Sequence, residues 1–378
     1  MLFEYNFRSY NIRLVLYVLV LNIIGILVIR SAANQEMALV GKQIMGIVIG
    51  FAVAIGLSLL DYHRLLSLSA VIYGGCIVGL AAVLVFGNRV GGATRWIILP
   101  VIGQLQPSEF VKIGLVLFFA DYLGKRQAVL NRFRILAMAA ALILLPLFLI
   151  FREPDLSTSL VIVVIFSCML FVAGLSYRWI LGATAVLIPS GALLVYLLQY
   201  NMVPFLQGYQ IRRILAFFNR AEFKESNLQQ DNSIMAIGSG LLHGKGLNNN
   251  TLASVKNGNF LSEEKTDFIF AVIGEELGFI GCVVVILLIA LVVYECLYMA
   301  SKARDLSGKL ICVGIAALIA FQGFSNIAVA TGLFPNTGLT LPFVSYGVSS
   351  LVSIYAGVGV VLNVGLQRKT TTRGGVLL

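Results

Sequence analysis

Few residues in this apolar chain can do chemistry, and those few stand beside long hydrophobic runs. They are Arg95 next to Trp96; Glu109 and Lys112 in Gln106-Pro107-Ser108-Glu109-Phe110-Val111-Lys112; Arg152 and Asp155 in Arg152-Glu153-Pro154-Asp155; Arg213; Asp267; and the pair Glu275/Glu276. An ionisable group within or bordering a bilayer is costly, so each is a functional candidate. Each also has a purely structural explanation. Glu109 and Lys112 lie i, i+3 on one helix face and can neutralise each other. Trp96 suits an interfacial aromatic belt. Asp155 and Asp267 each precede an apolar run, where aspartate is a favoured N-cap. Glu275 and Glu276 point about 100° apart, so at most one faces a shared cavity and pairing inside a bundle is expected. The stretch Phe334 to Tyr346 brings two prolines and several hydroxyls, those of Ser345 and Tyr346 included, to membrane depth. Irregular backbone there must be buried in protein or line a wet cavity, and a cavity is expected.

The elements that hold these residues follow from composition. Of 378 residues, 59% are hydrophobic and 12% charged, and the mean hydropathy is +0.94, against roughly a quarter charged in soluble domains. A water-soluble fold is excluded. The five cysteines (Cys76, Cys168, Cys282, Cys296, Cys312) all lie in apolar runs without metal or redox spacing, so neither disulfide nor metal is implied. His63 and His243 are the only histidines, which excludes a His-rich metal centre, and no G-x-x-x-x-G-K-[ST] loop is present.

Apolar runs near the roughly 20 residues that a bilayer requires occur at 14–29, 44–60, 67–86, 109–123, 135–151, 157–174, 179–198, 268–294, 310–331 and 345–366. The chain is therefore expected to be an all-α polytopic membrane protein of about ten spanning helices, one domain over 1–378, its first run an uncleaved anchor. With both termini inside, fourteen Lys and Arg fall on the inner face and six in the short outer loops and their flanks, the cytoplasmic bias expected of such proteins. The formal charge of +10 is then mostly membrane anchoring, and no nucleic-acid partner is implied. Glycines at packing distance, Gly46/Gly50, Gly75/Gly79 and Gly274/Gly278, suit close helix approach. Residues 199–266 form a large extracellular loop between the seventh and eighth helices. In it, Ile211, Ile214, Leu215 and Phe218 make an apolar stripe with Arg212, Arg213, Arg220 and Lys224 largely off it. That pattern predicts a basic amphipathic helix. The Gly- and Asn-rich stretch 238–259 is expected to be turn-rich or mobile. An outward cavity with cations at its rim suits a lipid-linked phosphate.

Taken together, the strings resemble the SEDS family of cell-wall polymerases (RodA, FtsW and SpoVE). The matching stretches are Gly92 to Ile97, Gln106 to Lys112, Glu153 to Thr158, Tyr209 to Leu215, Thr266-Asp267-Phe268-Ile269-Phe270 with Gly274 to Gly278, and Asn336 to Gly347. They run in the family's order through nearly the whole chain. Val348 and Ser157 stand where glycines are common, and the usual Asp-Pro signature is replaced around Asn219-Arg220.

The resemblance implies a ten-helix peptidoglycan glycosyltransferase that polymerises lipid II, the undecaprenyl-pyrophosphate-linked disaccharide peptide, on the outer face of the cytoplasmic membrane. It implies that Asp267 is catalytic, that Trp96, Glu109 and Lys112 are functionally important, and that the partner is a class B penicillin-binding protein. Arg95, Asp155, Ser345 and Tyr346 join the expected substrate site, with Arg95, Lys112 and Arg213 expected at the pyrophosphate directly or through a divalent cation (Mg or Mn). A pyrophosphate leaves as a stabilised anion, so one carboxylate acting as base suffices where a glycosidase needs a second acid. Asp267 as a metal ligand, a lipid II flippase and a non-catalytic scaffold are the alternatives.

Overall fold

The computed structural model describes residues 10–33, 36–90, 93–99, 103–200, 208–220, 222–248 and 263–367. Arg8, Arg368, Lys369, Arg373 and the stretch 249–259 lie outside them, as do the side chains of Arg212 and Arg213. Nine of the described helices are long and apolar enough to cross a membrane: α1 (Ile12–Ala32), α2 (Met37–Leu59), α4 (Ser69–Phe86), α6 (Phe133–Arg152), α7 (Leu156–Ala173), α8 (Tyr177–Gln199), α11 (Ile269–Lys302), α12 (Leu306–Ala330) and α13 (Val348–Leu366). The tenth is α5 (Pro107–Lys125), whose Glu109, Lys112, Asp121 and Lys125 lower its apolar character. Its 19 residues rise about 28 Å, enough to span. Most of α5 is buried against α4, α7, α12 and α13, and its Glu109 and Lys112 are enclosed in protein. All ten expected runs are helices, and the chain is an all-α polytopic membrane protein.

Local sequence explains where these helices begin and end. Asn11, Asp61, Asp155 and Asp305 cap the starts of α1, the short α3 (Tyr62–Ser67), α7 and α12, accepting from the backbone N–H of Leu14, His63, Thr158 and Gly308. Gly174, left-handed at φ +99°, ends α7. At the centre stand α5, α12 and α13, while α8 is exposed along nearly its whole length. Gly46 and Gly50 let α2 close on Val348, Leu351 and Tyr355 of α13. The expectation for Gly75/Gly79 fails: a Cβ on Gly75 would meet nothing within 4 Å and one on Gly79 only Pro107. Gly75 looks outward from α4, and Gly79 faces only the first residue of α5.

One end of the bundle is tied by a polar network. Asn363 accepts from the Tyr62 N–H at 2.9 Å and donates to the Ser58 carbonyl at 2.8 Å. His63 lies between Asp61 (2.9 Å) and Asp305 (3.2 Å).

The other end carries the irregular elements. Strands β1 (Asn88–Val90), β2 (Ala93–Leu99) and β3 (Gly103–Leu105) form a small antiparallel sheet in the order β1-β2-β3. Helix α9 (Gly208–Phe218) covers the amphipathic stripe expected there, and the polar helix α10 (Lys224–Ser239) follows it. After α10 the chain turns repeatedly, and residues 241–246 fill a break in α11. At Gly278 the backbone swings to φ 66°, ψ −165°, a region open essentially only to glycine. The groups freed by the break pair with the turn: Phe279 and Ile280 donate to the Leu241 and Leu242 carbonyls, while Lys245 and Gly246 donate to those of Glu275 and Glu276. Gly274 and Gly278 therefore pack on Ile237 and on this turn. Gly278→Ala is expected to cost about 1–3 kcal/mol in strain, and its Cβ would collide with the Gly244 backbone. Thermal unfolding in detergent, compared with a Gly75→Ala control facing open space, measures this.

Candidate active site at the irregular end of the bundle

The site is assembled around residues 331–347, which join α12 to α13. Proline, glycine and hydroxyl residues deny this segment a helix, so neighbouring side chains must satisfy its backbone. Arg220 donates to the Gly332 carbonyl at 3.0 Å, and Gln230 to Phe334 at 2.8 Å. Ser157, at the start of α7, donates to Thr337. Gln43 of α2 donates to the Ser345 carbonyl and accepts from the Gly347 N–H. The segment divides into two halves. Residues 334–337 are partly exposed, whereas Leu341 to Ser345 are buried in protein.

Asp267 is half-buried on the turn before α11. Phe268, not Asp267, occupies the N-cap position of that helix, so the capping explanation for Asp267 fails. Its segment is docked against the connection: Ser345 Oγ donates to the Thr266 carbonyl at 2.6 Å while accepting from Leu341, and the Tyr346 N–H donates to the Lys265 carbonyl at 2.9 Å. The Asp267 carboxylate faces Gly338, which sits at φ +72°; a Cβ there would lie 3.3 Å from Asp267 Oδ2. In the adjoining turn, Asn336 Oδ1 and Thr337 Oγ1 are buried without a hydrogen-bond partner. Such atoms are suited to a polar ligand or water.

A second group adjoins the same turn through Ser157. Asp155 caps α7 as expected, accepts from Gln106 at 3.3 Å and stands 3.9 Å from Arg95 Nη1. The Arg95 guanidinium also donates to the Glu153 and Pro154 carbonyls, and its side chain is 23% exposed, so it can still meet solvent. Trp96 is beside it on β2, partly buried. Arg213 is on α9, its side chain outside the described residues.

Glu109 and Lys112 do form one pair, 2.8 Å apart, with the Lys112 side chain 0% exposed. Lys112 also donates to Gln322 at 3.2 Å. In this conformation it faces protein partners. Glu275 and Glu276 are both engaged, on different faces, with Lys245 at 2.8 Å and with Ser31.

Several polar residues here escaped the sequence reading. Lys265 places a partly exposed cation two residues before Asp267. Gln322 and Asn326, one turn apart on largely apolar α12, hold the connection and Asp267 by their amides; their i, i+4 spacing was the available signal. Glu153 is fully buried with neither carboxylate oxygen hydrogen-bonded. Burial, with the charge of Asp155 and against that of Arg95, pushes its carboxyl up to about 8.

The sign of the consequence is fixed. The native state keeps the Glu153 proton up to about pH 8, whereas the unfolded chain releases it near the ordinary 4.5. Between those values folding binds a proton, so stability is lost as pH rises, by at most roughly 1.4 kcal/mol per unit. Glu153→Gln is expected to flatten this dependence; unfolding temperatures from pH 5 to 9 report it.

Among the described residues no three His, Cys, Asp or Glu side chains converge as a metal-ligand set.

Ten helices enclosing a carboxylate, a partly exposed arginine and unsatisfied polar atoms at one end define a multi-pass membrane protein with a polar site. The chain belongs to the FtsW, RodA and SpoVE family, whose model, described as "Cell cycle protein", matches residues 11–370. It is 34% identical to "Probable peptidoglycan glycosyltransferase FtsW" of Trichlorobacter lovleyi, covering 97% of this chain and 95% of that one. To "Peptidoglycan glycosyltransferase MrdB" of Escherichia coli K12 it is 31% identical, covering 95% and 94%. Among solved structures, the Thermus thermophilus rod shape determining protein RodA superposes with a TM-score of 0.71 at 31% identity, over 97% of this chain and 99% of that one. A chain from work on "Structural coordination of polymerization and crosslinking by a peptidoglycan synthase complex" gives 0.78 at 31%, over 94% and 97%. The protein is a multi-pass bacterial membrane protein.

Proposed function

We propose that this chain is a peptidoglycan glycosyltransferase that polymerises lipid II on the outer face of the cytoplasmic membrane, with both termini inside and residues 199–266 outside. One observation carries the reading. Segments far apart in sequence meet at a single turn, Asn336-Thr337-Gly338, with Asp267 on one side and Ser157 of the Asp155 segment on the other. The named activities of the relatives support it.

In the proposed reaction the GlcNAc 4-hydroxyl of the acceptor gives its proton to the Asp267 carboxylate. The freed oxygen forms the new bond to the donor's anomeric carbon as the bond to lipid pyrophosphate breaks, inverting the centre. The pyrophosphate leaves as an anion facing Arg95, with Arg213 of the α9 sequence a further candidate cation for it. Lys112 serves this site from within, through Glu109 and Gln322. Trp96, Ser345 and Tyr346 complete the site, Ser345 by holding the Thr266 carbonyl.

The structural likeness to a synthase that couples polymerization and crosslinking supports a class B penicillin-binding protein as partner, and that to RodA an elongation role. Purified protein supplied with lipid II should yield glycan strands. Movement of labelled lipid II between leaflets without polymer would establish the flippase instead.

A further inference from the structure

We infer that Asn326, seconded by Gln322, is a positioning residue that sets Asp267 against the α12–α13 connection; the inference deepens the glycosyltransferase reading and rests on it for its kinetic consequence. The Asn326 Nδ2 donates to two carbonyls from segments 59 and 13 residues away in sequence: Asp267 at 2.8 Å and Leu339 at 2.7 Å. One amide thus bridges the residue proposed as base and the residue next to Gly338, which the Asp267 carboxylate faces. Two carbonyl acceptors admit only the NH2 end, so the amide's orientation is chemically determined. Asn326 is 1% exposed and its Oδ1 is left without a partner. Leaving a buried acceptor unsatisfied is costly, and the double donation is what this residue supplies in return.

One turn along α12, Gln322 repeats the arrangement. Its Oε1 accepts from Lys112 at 3.2 Å, and an ammonium, being only a donor, fixes that end of the amide. Its Nε2 then faces the Thr340 carbonyl and hydroxyl, at 3.2 and 3.0 Å. The two amides form consecutive rungs. Gln322 fixes Thr340 relative to the Glu109–Lys112 pair, and Asn326 fixes Asp267 relative to Leu339. Neither amide is placed to react; each acts through the backbone it holds.

The test pairs amide hydrogen exchange of the full chain in detergent with steady-state polymerisation of lipid II. Asn326→Leu should accelerate exchange in 263–268 and 336–341 together. It should lower kcat about 100-fold, the penalty of a small misplacement, with KM held near wild type. Gln322→Met should accelerate 336–341 and leave 263–268 protected. Should Asn326→Leu not fold, Asn326→Ser, too short to span both carbonyls, reads the same windows. Unchanged protection in both windows, or wild-type kcat from folded Asn326→Leu, overturns the inference. If the wild type makes no polymer while Asn326→Leu still loosens both windows together, the bracket stands and the glycosyltransferase reading falls.

Discussion

Asp267→Asn should abolish glycan-strand formation from lipid II, with a loss of about 10²–10⁴-fold, the range for removing a general base. The substitution keeps size and shape but removes the proton acceptor. It leaves intact the bonds from Asn326, Ser345 and Tyr346, which engage backbone of residues 265–267 and not the carboxylate. The unfolding temperature in detergent should therefore stay near wild type while activity disappears. Polymer from the Asn variant at anything near the wild-type rate would end the assignment of Asp267 as base. A scaffold would tolerate the change, so the experiment also separates enzyme from scaffold.

Lys112→Ala carries the largest expected effect on stability. The Lys112 ammonium is wholly enclosed, 2.8 Å from Glu109 and 3.2 Å from Gln322. Removing it leaves the Glu109 carboxylate, itself 6% exposed, charged and uncompensated. Breaking a buried pair from one side costs about 3–5 kcal/mol, whereas replacing both partners by neutral groups of similar volume is far milder. The double variant Glu109→Gln/Lys112→Met should consequently recover most of the unfolding temperature lost in Lys112→Ala. If Lys112→Ala unfolds like wild type yet binds lipid II less tightly, the side chain belongs to the substrate and not to the core.

Much of this was readable from the residues themselves. Spans announce themselves because lipid demands long apolar runs, and even α5, whose charges lower its hydropathy, was placed by the run at 109–123. Asp155 was legible as a cap and Glu109/Lys112 as a pair because both depend on spacing within one helix. The failures share a cause: they depend on partners distant in sequence. Gly75/Gly79 and Gly46/Gly50 look alike as strings, but only in the second pair do both glycines pack closely on a facing helix. Asp267 mimics an N-cap until the helix is seen to begin two residues later. The strands at 88–105 are too short to display much alternation. Gln322 and Asn326 carry no charge, so a search for costly ionisable groups passes over them.

The break at Gly278 makes α11 one hydrophobic run but two mechanical pieces. Its opening stretch, Ile269 to Leu277, exchanges backbone bonds with residues 241–246 as well as continuing its own coil. A tug on the surface loop would thus be felt where the helix begins, beside Asp267, without any hand laid on that carboxylate.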